Sequence, residues 1–294
     1  MATLSKDLLI ACHQSARQAV SAMELPFGQF IWRGLGGMWK GNEAGSSIDF
    51  RDHHVYSPGD DPRHINWQIY GRTGDYVMKV YEQEIRPQVD IVFDGSASMA
   101  IDKEKERRSI ELLYFCLENA WKAGASVRLR ILRSAKLEEV DLKSLSTHQW
   151  SFNWFRENES KIEVKAITWN KSGFRVLVSD LLYQMQGTGH LGRLPVFSSN
   201  SLGLVLVPFS VDEVFPKWTG NIEFENCETG VLKKQRIQKQ TIEGYKQRYY
   251  KHFGLWREAC SKRNIRMARV SAKGTLQSAL RDEALTEGCL DLAL

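Results

Sequence analysis

Val89 to Phe93 is an apolar run, broken only by Asp90, that stops at Asp94-Gly95-Ser96-Ala97-Ser98, just before a helical pattern begins. An apolar run of that length, bounded by turn-forming residues, predicts a buried strand that feeds a turn and then a helix. The pattern recurs. Phe174 to Ser179 ends in Asp180, Leu202 to Pro208 is a further apolar run, and Ile265 to Val270 reads as a last strand. Helical spacing separates them: Ile110, Leu113, Leu117 and Trp121 with Gly124 as a stop, then Ile242, Tyr245, Tyr249, Phe253, Trp256 and Cys260. Strands that alternate with helices predict an α/β fold with a mainly parallel sheet, covered on both faces. In such a sheet the acidic residues that end two parallel strands emerge at one carboxyl edge, where ligands bind.

The remaining elements follow from the same patterns. Leu4 to Met23 reads as a helix that Pro26 ends. Residues 27–84 are rich in Gly and aromatics in short alternating runs, which predicts irregular β structure and long loops. Val127 to Leu132 is a strand with which Leu137 to Leu142 can form a hairpin, and Trp150, Trp154 and Phe155 suggest a short helix capped by Ser146 or Thr147. Asn221 to Ile237 reads as a hairpin with Glu228-Thr229-Gly230 at its turn, and Thr275 to Ala284 as a last helix. The aromatic stripe from Ile242 to Cys260 reads as a core face. This gives three parts: an N-terminal helix over 1–26, a β-rich extension over 27–87, and an α/β domain over 88–294.

Composition narrows the function classes. With 43% hydrophobic residues the chain can build a real core, and 40 basic against 35 acidic residues leave a mild +5. That charge permits acidic partners without arguing for nucleic acid. The basic clusters Lys103 to Arg108 and Lys233 to Lys239 read as solvated faces. Five scattered cysteines show no C-x-x-C pair and no zinc spacing, which points to a reducing, cytoplasmic setting. No leader pattern is visible at the N-terminus, and no stretch of about 18 apolar residues predicts a membrane span.

The Asp94–Ser98 turn carries the chemistry. Asp94 offers charge, and the short Ser96 and Ser98 hydroxyls offer oxygen ligands without adding more. Oxygen-only donors suit a hard cation, Mg²⁺ first, with Mn²⁺ or Ca²⁺ as the other candidates. A second dense motif runs from Tyr56 to Trp67, Y-S-P-G-D-D-P-R-H-I-N-W, followed by Gly71-Arg72-Thr73-Gly74. Pro, Gly and Asp fix turns there. Asp60 or Asp61 can pair with Arg63 or Arg72 and clamp the loop against Trp67, or the same loop can dock a partner.

Taken in order, Y-S-P-G-D-D-P-R-H-I-N-W, G-R-T-G, V-Y-E-Q-E, D-G-S-A-S-M and V-L-V-S-D-L-L resemble one family from Ile48 onward. It is the bacterial "domain of unknown function 58" family. Its members are similar to von Willebrand factor A domains, and their genes often neighbour those of MoxR-type AAA+ ATPases. The resemblance implies a Rossmann-like, von Willebrand factor A-like core and a metal-dependent adhesion site. Asp94, Ser96 and Ser98 match its D-x-S-x-S, and Asp180 matches its second acidic position. For the threonine that such sites place between them, Thr147 and Thr168 are the candidates. It further implies a noncatalytic protein-interaction module, with a MoxR-type ATPase or its client as partner. The alternative is a Mg²⁺-dependent phosphoesterase, for which His53, His54 and His64 are candidate bases.

Overall fold

The computed structural model describes residues 4–27, 48–83, 88–133, 136–154, 169, 173–182 and 202–293. The chain divides into two compact units, one of Met1–Gly34 with Pro87–Leu294 and one of Leu35–Arg86.

The larger unit is α/β. A six-stranded sheet has the spatial order β11-β8-β7-β4-β5-β6. Its strands are β4 (Gln88–Asp94), β5 (Ser126–Arg133), β6 (Lys136–Glu139), β7 (Phe174–Val178), β8 (Leu202–Phe209) and β11 (Ile265–Ser271). All neighbours are parallel except β6, which turns back on β5 as the expected hairpin. Strand side chains alternate between two faces, and the core divides accordingly. Ile91, Phe93, Val176, Val178, Leu204 and Leu206 bury on one face with α1 (Lys6–Val20) and α3 (Lys103–Lys122). Val92, Leu177, Val205 and Val207 bury on the other with Tyr249, Phe253 and Trp256 of α6 (Lys239–Ser261). The aromatic stripe is therefore core, as its spacing predicts.

Helix α1 packs within this unit. Ser5 caps it by accepting from the Leu8 amide, and Leu9, Cys12, Ala16 and Ala19 join the same core as Ile110 and Leu113 of α3. It ends at Val20, with Ser21 as its C-cap, before Pro26 is reached, and β1 (Met23–Glu24) then pairs with β12 (Asp291–Leu292). The connection after β6 also differs from expectation. Helix α4 covers Leu142–Ser146, capped by Asp141, and Thr147 closes its C-terminal end. Trp150, Phe152 and Trp154 then bury in non-helical chain. Their spacing of two lets stacked and edge-on rings fill one side of the core, with Trp150 and Phe152 centroids 4.6 Å apart. Phe155 and Thr168 lie outside the described residues. Helix α5 (Val211–Val214), the antiparallel hairpin of β9 (Gly220–Glu225) and β10 (Leu232–Ile237), and α6 connect β8 to β11. The C-terminal helical segment is α7 (Leu276–Ala279), continued as a π-helical stretch over Leu280–Leu285.

The smaller unit holds an antiparallel pair, β2 (Ile48–Val55) and β3 (Val77–Gln83), with an irregular register between Phe50 and Asp52. It also holds a helix that the sequence reading missed, α2 (Trp67–Thr73). The signal was present. Asn66 Oδ1 accepts from the Gln68 and Ile69 amides, and Gly74 stops the helix in the left-handed conformation at φ 77°.

Candidate functional site

Strand β4 is followed in space by β5 on one side and by β7 on the other, so the direction of winding reverses between β4 and β7. The carboxyl ends of two strands at such a switch point diverge into a crevice. Asp94 is the last residue of β4, and Ser179-Asp180 follows β7 directly. The parallel register, Phe93 against Val178, brings the two acidic positions to the same edge.

The Asp94 carboxylate organises the turn. Its Oδ1 accepts from the Ser96 amide at 2.9 Å, and its Oδ2 accepts from Ser179 Oγ at 2.7 Å. Asp94, Ser96 and Ser179 are fully buried. The Ser96 and Ser98 hydroxyl oxygens converge to 3.1 Å. Beyond them a short 3-10 turn, Ala97–Ala100, leads to Asp102, which caps α3 by accepting from the Lys105 amide.

Asp180 is held differently. Its Oδ1 accepts from the Leu182 amide at 3.1 Å, and its Oδ2 accepts from Lys105 Nζ at 2.9 Å. Lys105 Nζ also donates to Glu213 Oε1 at 2.5 Å. The Lys105 and Asp180 side chains are 0% and 2% exposed, and Glu213 is 13% exposed. Burial pulls the ammonium down, but Asp180 and Glu213 outweigh it and leave Lys105 above its ordinary value, firmly charged. Burial raises the Glu213 carboxyl, with Asp180 adding to the rise and Lys105 opposing it. Glu213 belongs to a capping box, accepting from the Ser210 amide at 2.8 Å, and its carbonyl accepts from Tyr245 of α6 at 2.7 Å.

The basic run Lys103 to Arg108 is thus not a solvated face throughout: Lys105 and Arg108 are fully buried. The helical period turns these two inward while Lys103 and Glu104 stay exposed. Arg108 reaches the Gly274 carbonyl at 2.8 Å and Glu111 at 3.0 Å, and burial lowers it to about 10.

Three contributors came from segments to which the sequence gave no chemical role. Lys105 is one. Glu228, at the tip of the β9–β10 hairpin, is the second: its Oε1 accepts from the Ser98 amide at 2.8 Å. Burial raises its carboxyl against the lowering effect of the Ser98 and Ala97 groups. Its Oε2 is cut off from solvent with no hydrogen-bond partner among the described residues. The third is His252 of α6, whose Nε2 donates to the Leu181 carbonyl at 2.7 Å. Leu181 is buried with φ 55°, a conformation a branched residue adopts at a cost.

Thr147 does not join this edge. Strand β6 runs back from it, and the Thr147 hydroxyl is spent on the Lys143 and Ser144 carbonyls. Among the described residues no three His, Cys, Asp or Glu side chains gather as a metal cage. The donors that fit a hard cation lie at the turn. Cis ligands of an octahedral ion at about 2.1 Å stand about 3 Å apart, and the Ser96–Ser98 separation matches that spacing.

In the smaller unit, Asp61 accepts from the Arg63 guanidinium at 3.0 Å, 2.9 Å and 2.6 Å, and Asp60 accepts from the Ser57 amide. The clamp thus forms within the loop but not against Trp67, which is 60% exposed, edge-on to Tyr70. Arg72 makes no ion pair among the described residues. His53 is bonded to Asn66 at 2.9 Å. Of His54 and His64 the structure describes no side chain.

All five cysteines are free thiols. Burial pushes Cys12, Cys260 and Cys289 up to about 12, so these are inert core thiols. Among the described residues no helix is long and apolar enough to cross a membrane. In comparisons with known proteins, no family model, no curated protein and no solved structure matched this chain.

Proposed function

We propose that this chain is a noncatalytic protein-interaction module with a von Willebrand factor A-like core, which grips an acidic side chain of its partner at the β4–β7 edge. One observation carries the reading: Asp94 and the convergent Ser96 and Ser98 hydroxyls stand at the switch point of the sheet. Asp94, Ser96 and Ser98 would hold a divalent cation, Mg²⁺, Mn²⁺ or Ca²⁺. When bound, that cation accepts a carboxylate oxygen as a further ligand. Asp180 contributes at one remove, by fixing Lys105 and with it the Glu213 end of α5.

The ordered motifs support a MoxR-type AAA+ ATPase, or a client it remodels, as the partner in a cytoplasmic complex. Hydrolysis is the weaker reading. His252, which meets the residue after Asp180, donates to the Leu181 backbone carbonyl. The test is capture of a MoxR-type ATPase by the immobilised chain in Mg²⁺ and in EDTA, with Asp94→Asn as the variant. Asparagine keeps an oxygen for the Ser96 amide while removing the charge. Capture in Mg²⁺ that is lost in EDTA and in D94N is expected. Equal capture in all three overturns the cation-dependent grip, and steady Asp94-dependent phosphoester turnover overturns the noncatalytic reading.

A further inference from the structure

Helix α4 stops in a Schellman turn. The Gln149 amide donates to the Ser144 carbonyl at 2.8 Å, and the His148 amide donates to the Leu145 carbonyl at 3.1 Å. The residue at the pivot of such a turn is left-handed, which is usually the place of glycine. Here the pivot is His148, at φ 56°, a conformation that a side chain adopts at a cost and that persists where its surroundings hold it. His13 of α1 holds it: the His13 Nδ1 and His148 Nε2 atoms meet at 2.8 Å.

His13 is engaged at both ring nitrogens. Its Nε2 bonds Glu118 Oε1 of α3, its ring stacks on Tyr114 with centroids 4.5 Å apart, and its side chain is 6% exposed. A carboxylate only accepts, so His13 Nε2 carries a hydrogen, and the neutral ring offers Nδ1 as an acceptor. His148 Nε2 is then the donor. One added proton leaves a single hydrogen between the rings, in a bond that is now charge-assisted. A second added proton puts a hydrogen on both facing nitrogens and a charge on both rings, and the bond can no longer form. Glu118 moderates that repulsion, whereas Lys6 and Arg17 of α1 add to it, Arg17 Nε donating to Glu118 at 3.3 Å. Tyr114 contributes no charge: burial raises its phenol, which donates to the Leu145 carbonyl at 3.1 Å. Burial first, then His13, lowers His148 below its ordinary 6.5, the direction that a penalised second proton requires.

We propose that His13 and His148 form a proton-operated latch between α1 and the chain leaving α4, closed while the pair holds at most one added proton and opened by the second. Opening frees His148 from the contact that offsets its left-handed backbone, so the turn at 147–149 loosens first. The aromatic segment beyond it keeps its own tie to the N-terminal chain, the Leu4 amide donating to the Phe152 carbonyl at 3.4 Å. The latch uses no residue of the β4–β7 edge and does not depend on the function proposed for that edge.

The test follows the histidine ring nitrogens of the full chain by nuclear magnetic resonance from about pH 8 down to about pH 4.5, a range that brackets the ordinary histidine value. Backbone hydrogen exchange, corrected for its intrinsic pH dependence, is measured over the same range. Wild type, His148→Asn and Glu118→Gln are compared. At the upper end both rings should carry hydrogen on Nε2, and the two should titrate as one coupled pair. Opening of the Thr147, His148 and Gln149 amides should grow by about tenfold for each pH unit on approach to the second proton. Asparagine tolerates the positive φ, so H148N should fold and lose this dependence. In E118Q the amide oxygen can still accept from His13, but loss of the anion should move the opening to lower pH. Two independent titrations, or a pH response in H148N equal to that of wild type, would overturn the latch, as would an opening that E118Q leaves unmoved. The buried α3 amides of Leu112 to Leu117 should stay protected while the turn opens; their opening in step with it would mean global unfolding and would also overturn the latch.

Discussion

Lys105→Met tests the electrostatic frame of the edge. The substitution removes an ammonium of 0% side-chain exposure that stands 2.9 Å from Asp180 and 2.5 Å from Glu213. The replacement nearly conserves length and stays apolar, so what is lost is charge rather than volume. Two buried carboxylates then face each other without a counterion. Breaking a buried pair by removing one partner costs about 3–5 kcal/mol, because the remaining charge is left uncompensated. The pair Lys262–Glu258 provides the contrast. It is equally short, at 2.6 Å, but its side chains are 68% and 59% exposed. Lys262→Met should be nearly silent, since exposed pairs are screened by water and salt.

The pH dependence carries the sign. In wild type, Lys105 lies above its ordinary 10.5, so its ion pairs are intact throughout the neutral range. Glu213 already lies above the usual carboxylate range because of burial, and Lys105 is the chief influence holding it down. Removing Lys105 therefore raises Glu213 further. A carboxyl raised in the folded state favours folding below its unfolded value of about 4, and that advantage is lost as pH rises toward the folded value. The penalty of K105M should accordingly grow between pH 4.5 and pH 7.5, by up to about 1.4 kcal/mol per pH unit for each such group. Urea unfolding at the two pH values measures it. Adding Glu213→Gln should recover part of the loss and flatten the dependence, because the glutamine oxygen can still accept from the Ser210 amide. A penalty below about 1 kcal/mol at pH 7.5, or the same penalty at both pH values, would refute the buried-charge account.

Two further outcomes follow from single positions. Gly173 precedes β7 at φ 121°, and a Cβ there would stand 2.6 Å from the Gln88 carbonyl oxygen, so Gly173→Ala should destabilise by about 1–3 kcal/mol; an unchanged urea midpoint contradicts this. His148 sits at φ 56° with its Nε2 2.8 Å from His13 Nδ1, and burial, then His13, lowers it below its ordinary 6.5. A lowered histidine costs stability as pH falls through its unfolded value, so wild type should lose stability relative to His148→Asn below about pH 6.5; asparagine tolerates the positive φ, and parallel pH curves for the two would contradict the assignment.

Local pattern made β4, α3, β7, β8, α6 and β11 legible, because each buries a strand or a helical stripe and its periodicity survives in the chain, whereas the exposed hairpin was legible from its turn residues. The parallel rule then placed Asp94 and Asp180 at one edge from sequence alone, since strand direction fixes which end of each run is the carboxyl end. Helix α2 escaped for want of a stripe: none of its described side chains is buried, and only its caps marked it. The aromatic segment after α4 misled for the opposite reason. Trp150 and Trp154 stand four apart, which fits a helix, but Phe152 between them shows the period of two that the core uses.

Lys105 and Glu228 were illegible for a deeper reason. A charged residue reads as solvent-facing because burying it alone is costly, and that prior holds until partners appear. The partners of Lys105 lie 75 and 108 positions away, and that of Glu228 lies 130 positions away. No window of sequence contains both halves of such a contact. What the sequence could supply was the motif that shapes the turn, and the motif alone leaves the ownership of the remaining carboxylate open. The fold distributes the acids unequally along the edge. Lys105 takes Asp180 and Glu213, while Asp94 is held by Ser96 and Ser179 and Glu228 by Ser98 at the serine turn. Any affinity for an acidic side chain should depend on how readily the tip at 226–230 lifts from Ser98, and the exchange rate of the Ser98 amide is where that lifting is seen.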